Sequence, residues 1–261
     1  MRQPLGQHFL RADKYVHALV DAVHLSKDDT VLEIGPGEGV LTKALLETGA
    51  CVHAIEKDTN LVARLNKRFE KYIENGQLVV VSGDVRNTLD ENLEKLPNGY
   101  VVISNIPYYL TGGLIRELLT HNNQPSRISL LIQKEVAERA VSKSSKESLL
   151  SIGIKAYGEP HYITSVPRGA FAPPPDVDSA IIVIENISRE RFVESGIDED
   201  TFFVLARTAF GQKRKQVQST LGAFVGRDIV LKALRKTNLP ETVRPEEISI
   251  DQWFLLANLL R

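Results

Sequence analysis

The sequence has almost no cysteine, no clustered metal ligands and no long apolar run, and each absence narrows what the chain can be. Cys51 is the single cysteine among 261 residues, so neither an intrachain disulfide nor a thiolate-rich zinc site can form. The six histidines are scattered, with no two at ligand spacing on one helix face, so no metal is expected. A helix that crosses a bilayer needs roughly 20 apolar residues in a row, and no stretch approaches that. The N-terminus also lacks the apolar core of a signal peptide. The cytoplasm is therefore the expected compartment, and no membrane partner is expected. Internal repeats and low-complexity tails are absent as well.

What remains is an ordinary globular composition, 43% hydrophobic and 25% charged, in a chain long enough to bury a substantial core. The net charge of −1 conceals an asymmetry. Between Arg207 and Arg244 nine Lys and Arg face only Asp228 and Glu241, a net of +7, which leaves −8 for the rest of the chain. A basic region on an otherwise acidic chain suits a polyanion touched on one side, although a solvated helical face has the same composition.

Apolar residues recur at helical spacing over residues 13–23, and short apolar runs then alternate with helical patterns. Strands are expected over residues 31–34, 51–55, 78–81, 100–104 and 128–132, and helices over 40–48, 58–72, 114–119 and 135–141. Such alternation specifies an α/β fold, a mostly parallel sheet with helices on both faces. Residues 149–157 read as a further helix. Residues 162–166 and 180–185 read as strands joined through three consecutive prolines, placed to close the sheet as an antiparallel hairpin. Beyond about Ser188 only helical patterns occur. The expected division is residues 1–188 for the α/β domain and 189–261 for a small all-α domain that holds the basic segment.

In sheets of this kind ligands bind outside the carboxyl ends of the strands. Four distinctive groups stand at such ends: the loop Gly35-Pro36-Gly37-Glu38-Gly39, then Glu56, Asp84 and Asn105. Glycines let a ligand approach the backbone, and an acid about 20 residues beyond them is placed to accept both ribose hydroxyls. Asp84, one strand further, suits a base or an amine. A dinucleotide loop usually reads Gly-x-Gly-x-x-Gly and holds a pyrophosphate at a helix N-terminus. Here the pattern is Gly-x-Gly-x-Gly, with Glu33 before it and Glu38 inside it. Those carboxylates repel a pyrophosphate and suit the ammonium and sulfonium of S-adenosylmethionine, with a nicotinamide dehydrogenase as the alternative.

Asn105-Ile106-Pro107-Tyr108 would then face the reactive end of such a cofactor. Pro107 has a fixed φ and no N–H, so the turn is stiff. The Asn105 side-chain carbonyl and a backbone carbonyl of the turn can accept the two hydrogens of an adenine amine, which frees its lone pair for a methyl group without a strong base. Tyr108, with Phe171 as a candidate for the other face, can hold a base flipped out of its helix. Taken alone, the stretch also fits a strand end whose tyrosine caps the core.

Together these features are specific. The chain resembles the ribosomal RNA adenine dimethyltransferases, in particular the dimethyladenosine transferases of the small subunit. The resemblance is carried by Leu5-Gly6-Gln7-His8-Phe9-Leu10, Glu33-Ile34-Gly35-Pro36-Gly37-Glu38-Gly39, Glu56, Gly83-Asp84, Asn105-Ile106-Pro107-Tyr108-Tyr109, residues 171–179, Phe210-Gly211-Gln212-Lys213-Arg214-Lys215 and Arg244-Pro245-Glu246-Glu247. It implies a Rossmann-like, class I S-adenosylmethionine-dependent methyltransferase domain with a seven-stranded sheet, followed by a helical domain. It also implies that His8 and Leu10 lie over the cofactor, that the Gly35 and Gly37 loop meets its amino-acid part, Glu56 its ribose and Asp84 its adenine, and that Asn105 stands at the methyl-transfer centre. By spacing alone His8 reads as a packed or solvent-facing histidine. Lys213, Arg214 and Lys215 are the expected RNA contacts. The expected substrate is a pair of adjacent adenines near the end of small-subunit RNA, and the expected state is a monomer. A large-subunit adenine methyltransferase of the antibiotic-resistance type and a non-catalytic ribosome-assembly or RNA-binding factor are the alternatives. The chain leaves the family pattern at Thr111-Gly112-Gly113 and at Gln216-Val217-Gln218.

Overall fold

The computed structural model describes residues 8–142, 146–212 and 214–261. Seven strands form one sheet: β1 (Thr30–Ile34), β2 (Cys51–Glu56), β3 (Leu78–Ser82), β4 (Val101–Asn105), β5 (Arg127–Gln133), β6 (Glu159–Val166) and β7 (Ser179–Glu185). Their spatial order is β3-β2-β1-β4-β5-β7-β6. The first five pair in parallel, whereas β7 runs antiparallel to both β5 and β6. This is the Rossmann-like, mostly parallel arrangement expected, with the hairpin of β6 and β7 at one edge. The central strands are apolar on both faces because helices cover both, so Val31, Leu32, Val101, Val102 and Ile103 are fully buried.

The chain runs outward from β1 to β3 and returns to the other side of β1 as β4, and a crevice opens at that reversal. The Ser104 hydroxyl bridges it, donating to the Ile34 carbonyl at 2.5 Å. Helices follow the strands at this end: Val40–Glu47 after β1, Thr59–Arg68 after β2, Val85–Glu94 after β3 and Thr111–Thr120 after β4. The helix expected over 58–72 is in two pieces, broken at Phe69 with φ −113° and ψ 23° and resumed as Glu70–Glu74. Phe69 is buried against Gly39, where a Cβ would come within 2.6 Å of its ring. The helix Val85–Glu94 escaped the sequence reading; Val85, Leu89 and Leu93 form its buried stripe, four residues apart. Gly112 and Gly113 lie inside the helix Thr111–Thr120, with open space where side chains would stand.

A short ribbon completes this unit. Phe9–Leu10 pairs antiparallel with Phe171–Ala172, so the first described residues lie beside the segment that precedes β7.

The chain forms two compact units. The first runs to Ala137 and resumes over Glu159–Ile187; the second comprises Glu138–Gly158 and Ser188–Arg261. A single boundary at residue 188 therefore does not describe the division. Residues 138–158 lie in the second unit because Tyr157 stacks on Phe203 at 6.0 Å between ring centroids and donates its hydroxyl to Glu199 at 2.6 Å. The regular structure of the second unit is helical among the described residues, around a core that includes Phe192, Phe202, Trp253 and Phe254. No described helix is long and apolar enough to cross a membrane, and no described cluster of His, Cys, Asp or Glu could hold a metal ion.

Candidate active site

The carboxyl ends of β3, β2, β1 and β4 lie side by side, and the loops that leave them line one pocket of about 350 Å³. That is the size of a small-molecule site. His8, Leu10, Gly35, Gly37, Glu56, Asp84, Asn105, Pro107, Tyr108 and Phe171, far apart in sequence, all line it.

The loop after β1 is shaped by its glycines. Gly37 has φ +59°, and a Cβ there would stand 2.9 Å from the Phe9 ring, so the ribbon can approach the loop only over a residue without a side chain. The Gly37 N–H donates to the Glu56 carboxylate at 3.0 Å, and the Asp58 N–H donates to its other oxygen at 2.8 Å. Glu56 is 3% exposed, so its position is fixed from both sides. A carboxylate offers about four lone-pair sites, which leaves acceptor capacity for a ligand's hydroxyls.

Glu33 lies deeper, 1% exposed, and accepts from the Thr42 hydroxyl at 2.7 Å. Burial pushes its carboxyl up to about 8; Thr42 opposes the shift and the charge of Glu56 adds to it. Glu38 is different, because its carboxylate is paired with Arg11 at 2.7 Å. Of the two carboxylates beside the glycines, only Glu33 is enclosed.

Asp84 caps the helix Val85–Glu94 by accepting from the Arg86 N–H at 3.1 Å. Its carboxylate also meets the Arg86 guanidinium at 2.6 Å and Lys57 at 3.0 Å, and these hold it well below the usual carboxylate range.

At the end of β4 the Asn105 amide donates to the His8 carbonyl at 3.3 Å. With Nδ2 committed, Oδ1 is the side chain's acceptor for a ligand. Pro107 leads into the 3₁₀ turn Tyr108–Leu110. The Tyr108 hydroxyl meets Ser179 Oγ at 2.7 Å, and burial raises its pKa. Its ring lies near-parallel to that of His8, 6.2 Å between centroids. The His8 ring meets the Pro173 carbonyl at 2.9 Å. Phe171, 4% exposed, is part of the core as well as of the pocket wall, so it offers little free face for stacking.

Comparison with known proteins shows the family of the chain. The ribosomal RNA adenine dimethylase family matches residues 1–261. The chain belongs to that family. A ribosomal RNA small subunit methyltransferase A from Dehalococcoides mccartyi is 35% identical over 97% of this chain and 86% of its own. The structure of a dimethyladenosine transferase from Plasmodium falciparum superposes with a TM-score of 0.78 at 25% identity, covering 95% of this chain and 96% of the other. A 23S rRNA methyltransferase, ErmE, superposes at 0.74 over 97% and 99% of the two chains, but at 23% identity, which speaks for the fold alone.

The donor set fits the cofactor of this adenine dimethylase. Enclosed Glu33 and fixed Glu56 favour a ligand with a cationic group and a ribose, and the close approach at Gly37 leaves room for backbone contact. The family's expected RNA contacts are in the second unit. Arg214 and Lys215 are exposed there, as are Arg207, Arg227, Lys232, Arg235, Lys236 and Arg244; Lys213 lies outside the described residues.

Sequence reasoning missed Thr42, Arg11, Lys57 and Arg86. Thr42 and Arg11 carry no local signal, since their partners Glu33 and Glu38 are brought to them by the fold. Lys57 and Arg86 were legible as cations adjoining two strand-end acids.

Proposed function

We propose that this enzyme dimethylates the exocyclic amine of two adjacent adenines near the 3′ end of small-subunit ribosomal RNA, using S-adenosylmethionine. The observation that carries the reading is the Asn105 side chain at the crevice between β1 and β4, its donor end held by the His8 carbonyl so that an acceptor serves the ligand. Gly35, Gly37 and Glu33 would hold the cofactor's amino-acid part, Glu56 its ribose and Asp84 its adenine, with His8 and Leu10 over it. When bound, the cofactor supplies an electrophilic methyl group.

The protein's part is positioning. Asn105 Oδ1 accepts one amine hydrogen and a backbone carbonyl of the turn accepts the other, which draws the nitrogen toward a tetrahedral shape and its lone pair out of conjugation with the ring. Pro107 keeps that turn stiff. Tyr108 supports the base by stacking, its plane fixed by the bond to Ser179. Both acceptors are neutral, and an amine that has gained one methyl still offers a hydrogen, so a second transfer needs only rotation of the amine. Arg214 and Lys215, with Lys213, would contact RNA phosphates. The expected state is a monomer, and a ribosomal substrate supports work in the cytoplasm.

Incubation with labelled methyl donor and unmodified small or large subunits in separate reactions, followed by nucleoside analysis, tests this. Dimethyladenosine in the small-subunit RNA is expected. Label confined to large-subunit RNA would favour the antibiotic-resistance type, and no label in either would leave an assembly factor.

A further inference from the structure

Tyr108 and Tyr109 are consecutive, yet they live in opposite surroundings. Tyr108 is half-buried with its hydroxyl on Ser179; Tyr109 stands on the rim of the same pocket and is 66% exposed. They sit in a 3₁₀ turn, where three residues complete a revolution, so successive side chains diverge by about 120° and cannot hold one base between them. A ring facing inward beside a ring facing outward suits two bases rather than one.

The rim around Tyr109 is cationic. Lys57 and Arg86 share the carboxylate of Asp84, two positive charges on one negative, and both are about half exposed. Tyr109 lines the same pocket as Lys57 and Asp84, and Arg86 sits on the Asp84 carboxylate at 2.6 Å, which places both cations at this rim. An exposed aromatic beside free positive charge is the combination that binds unpaired nucleotides, with the ring stacking on a base and the cation meeting its phosphate.

We propose that Tyr109 stacks the nucleotide next to the target adenine while Arg86 contacts the adjoining phosphate. This rests on the dimethylation reading above. Tyr109 stands on one side of the pocket, so for one of the two adjacent adenines the stacked neighbour is the other substrate base, held on Tyr109 while its neighbour occupies the pocket.

The test uses the full chain and unmodified small subunits, comparing wild type with Tyr109→Ala and Tyr109→Phe in steady-state methylation and in cofactor binding by calorimetry. A stacked base contributes about 1–3 kcal/mol, so Tyr109→Ala is expected to raise KM for the subunit about tenfold, with cofactor affinity unchanged. Tyr109→Phe keeps the ring and should stay within about twofold of wild type. An abasic site at the adenine beside the target, in reconstituted subunits, should make wild type and Tyr109→Ala alike. The proposal falls if Tyr109→Ala leaves KM unchanged, if Tyr109→Phe fails as badly as Tyr109→Ala, if cofactor affinity falls with it, or if the gap survives the abasic site. Failure of the wild type itself to form dimethyladenosine would instead overturn the dimethylation reading.

Discussion

The pocket interior and the basic segment between Arg207 and Arg244 both depend on charge, and they use it in opposite ways. In the pocket, Glu33 and Glu56 are almost fully buried and held by Thr42, Gly37 and Asp58. Their orientation is set before any ligand arrives, and salt reaches such groups weakly. In the basic segment the described cations are exposed, and Arg235 pairs with Glu241 at 2.8 Å. Their attraction for a polyanion comes from counterion release and falls steeply as salt rises. On the function proposed, one chain separates recognition of a small ligand by geometry from recognition of a large one by charge.

The largest effect expected from breaking this contrast is at Asn105. Asn105→Ala should lower kcat about 100- to 1,000-fold, the range for loss of one preorganised polar group at a reacting centre. The loss should be the same at low and high salt, measured as single-turnover methylation. A loss that disappeared at low salt would mean that Asn105 serves RNA affinity rather than chemistry.

Glu33 offers a smaller effect and a pH signature. Its folded-state carboxyl, pushed up to about 8, holds its proton where the unfolded chain would have released it. Stability from this group is present below about pH 4.5 and is lost as pH rises toward 8, by an amount on the order of a few kcal/mol. The free protein should therefore unfold more readily at pH 8 than at pH 6, and Glu33→Gln should flatten that difference in denaturant titrations. A cationic ligand beside Glu33 pulls its proton off, so cofactor binding should release a proton near neutral pH in wild type and none in Glu33→Gln. Equal proton release in both proteins would remove Glu33 from the site.

The smallest effect belongs to the exposed cations. Replacing Arg214 and Lys215 together by Gln should reduce the slope of log affinity against log salt by about two, roughly one per phosphate contact, with the cofactor dissociation constant unmoved. An unchanged slope would mean that these side chains face solvent in the complex.

Much of this was legible in residue order alone. Strands β1 to β4 announce themselves as apolar runs ending in Gly35, Glu56, Asp84 and Asn105, because a doubly covered parallel strand has little choice but to be apolar and its functional group must come at its end. The pairing of Thr42 with Glu33 was not legible, nor was that of Asn105 with the His8 carbonyl, 97 positions away. Such contacts follow from packing, not from spacing. Phe171 shows the converse: a candidate by its motif for the other face of the base, it is 4% exposed and paired with the ribbon strand at Leu10, a packing that spacing does not reveal. The helix Val85–Glu94 was missed despite its regular buried stripe, its polar majority having outweighed three apolar residues.

The excursion of residues 138–158 into the second unit has a consequence for the order of events at the ribosome that makes this chain. Synthesis runs from the N-terminus, and domains tend to fold as they emerge. By the time Ile187 has been added, every residue of the first unit exists, and its sheet can close on β7. Tyr157 exists too, but Glu199 and Phe203, which receive it, do not. The nascent chain can therefore carry a closed sheet while the segment that leads to Tyr157, held between Ala137 and Glu159, waits for Glu199 and Phe203.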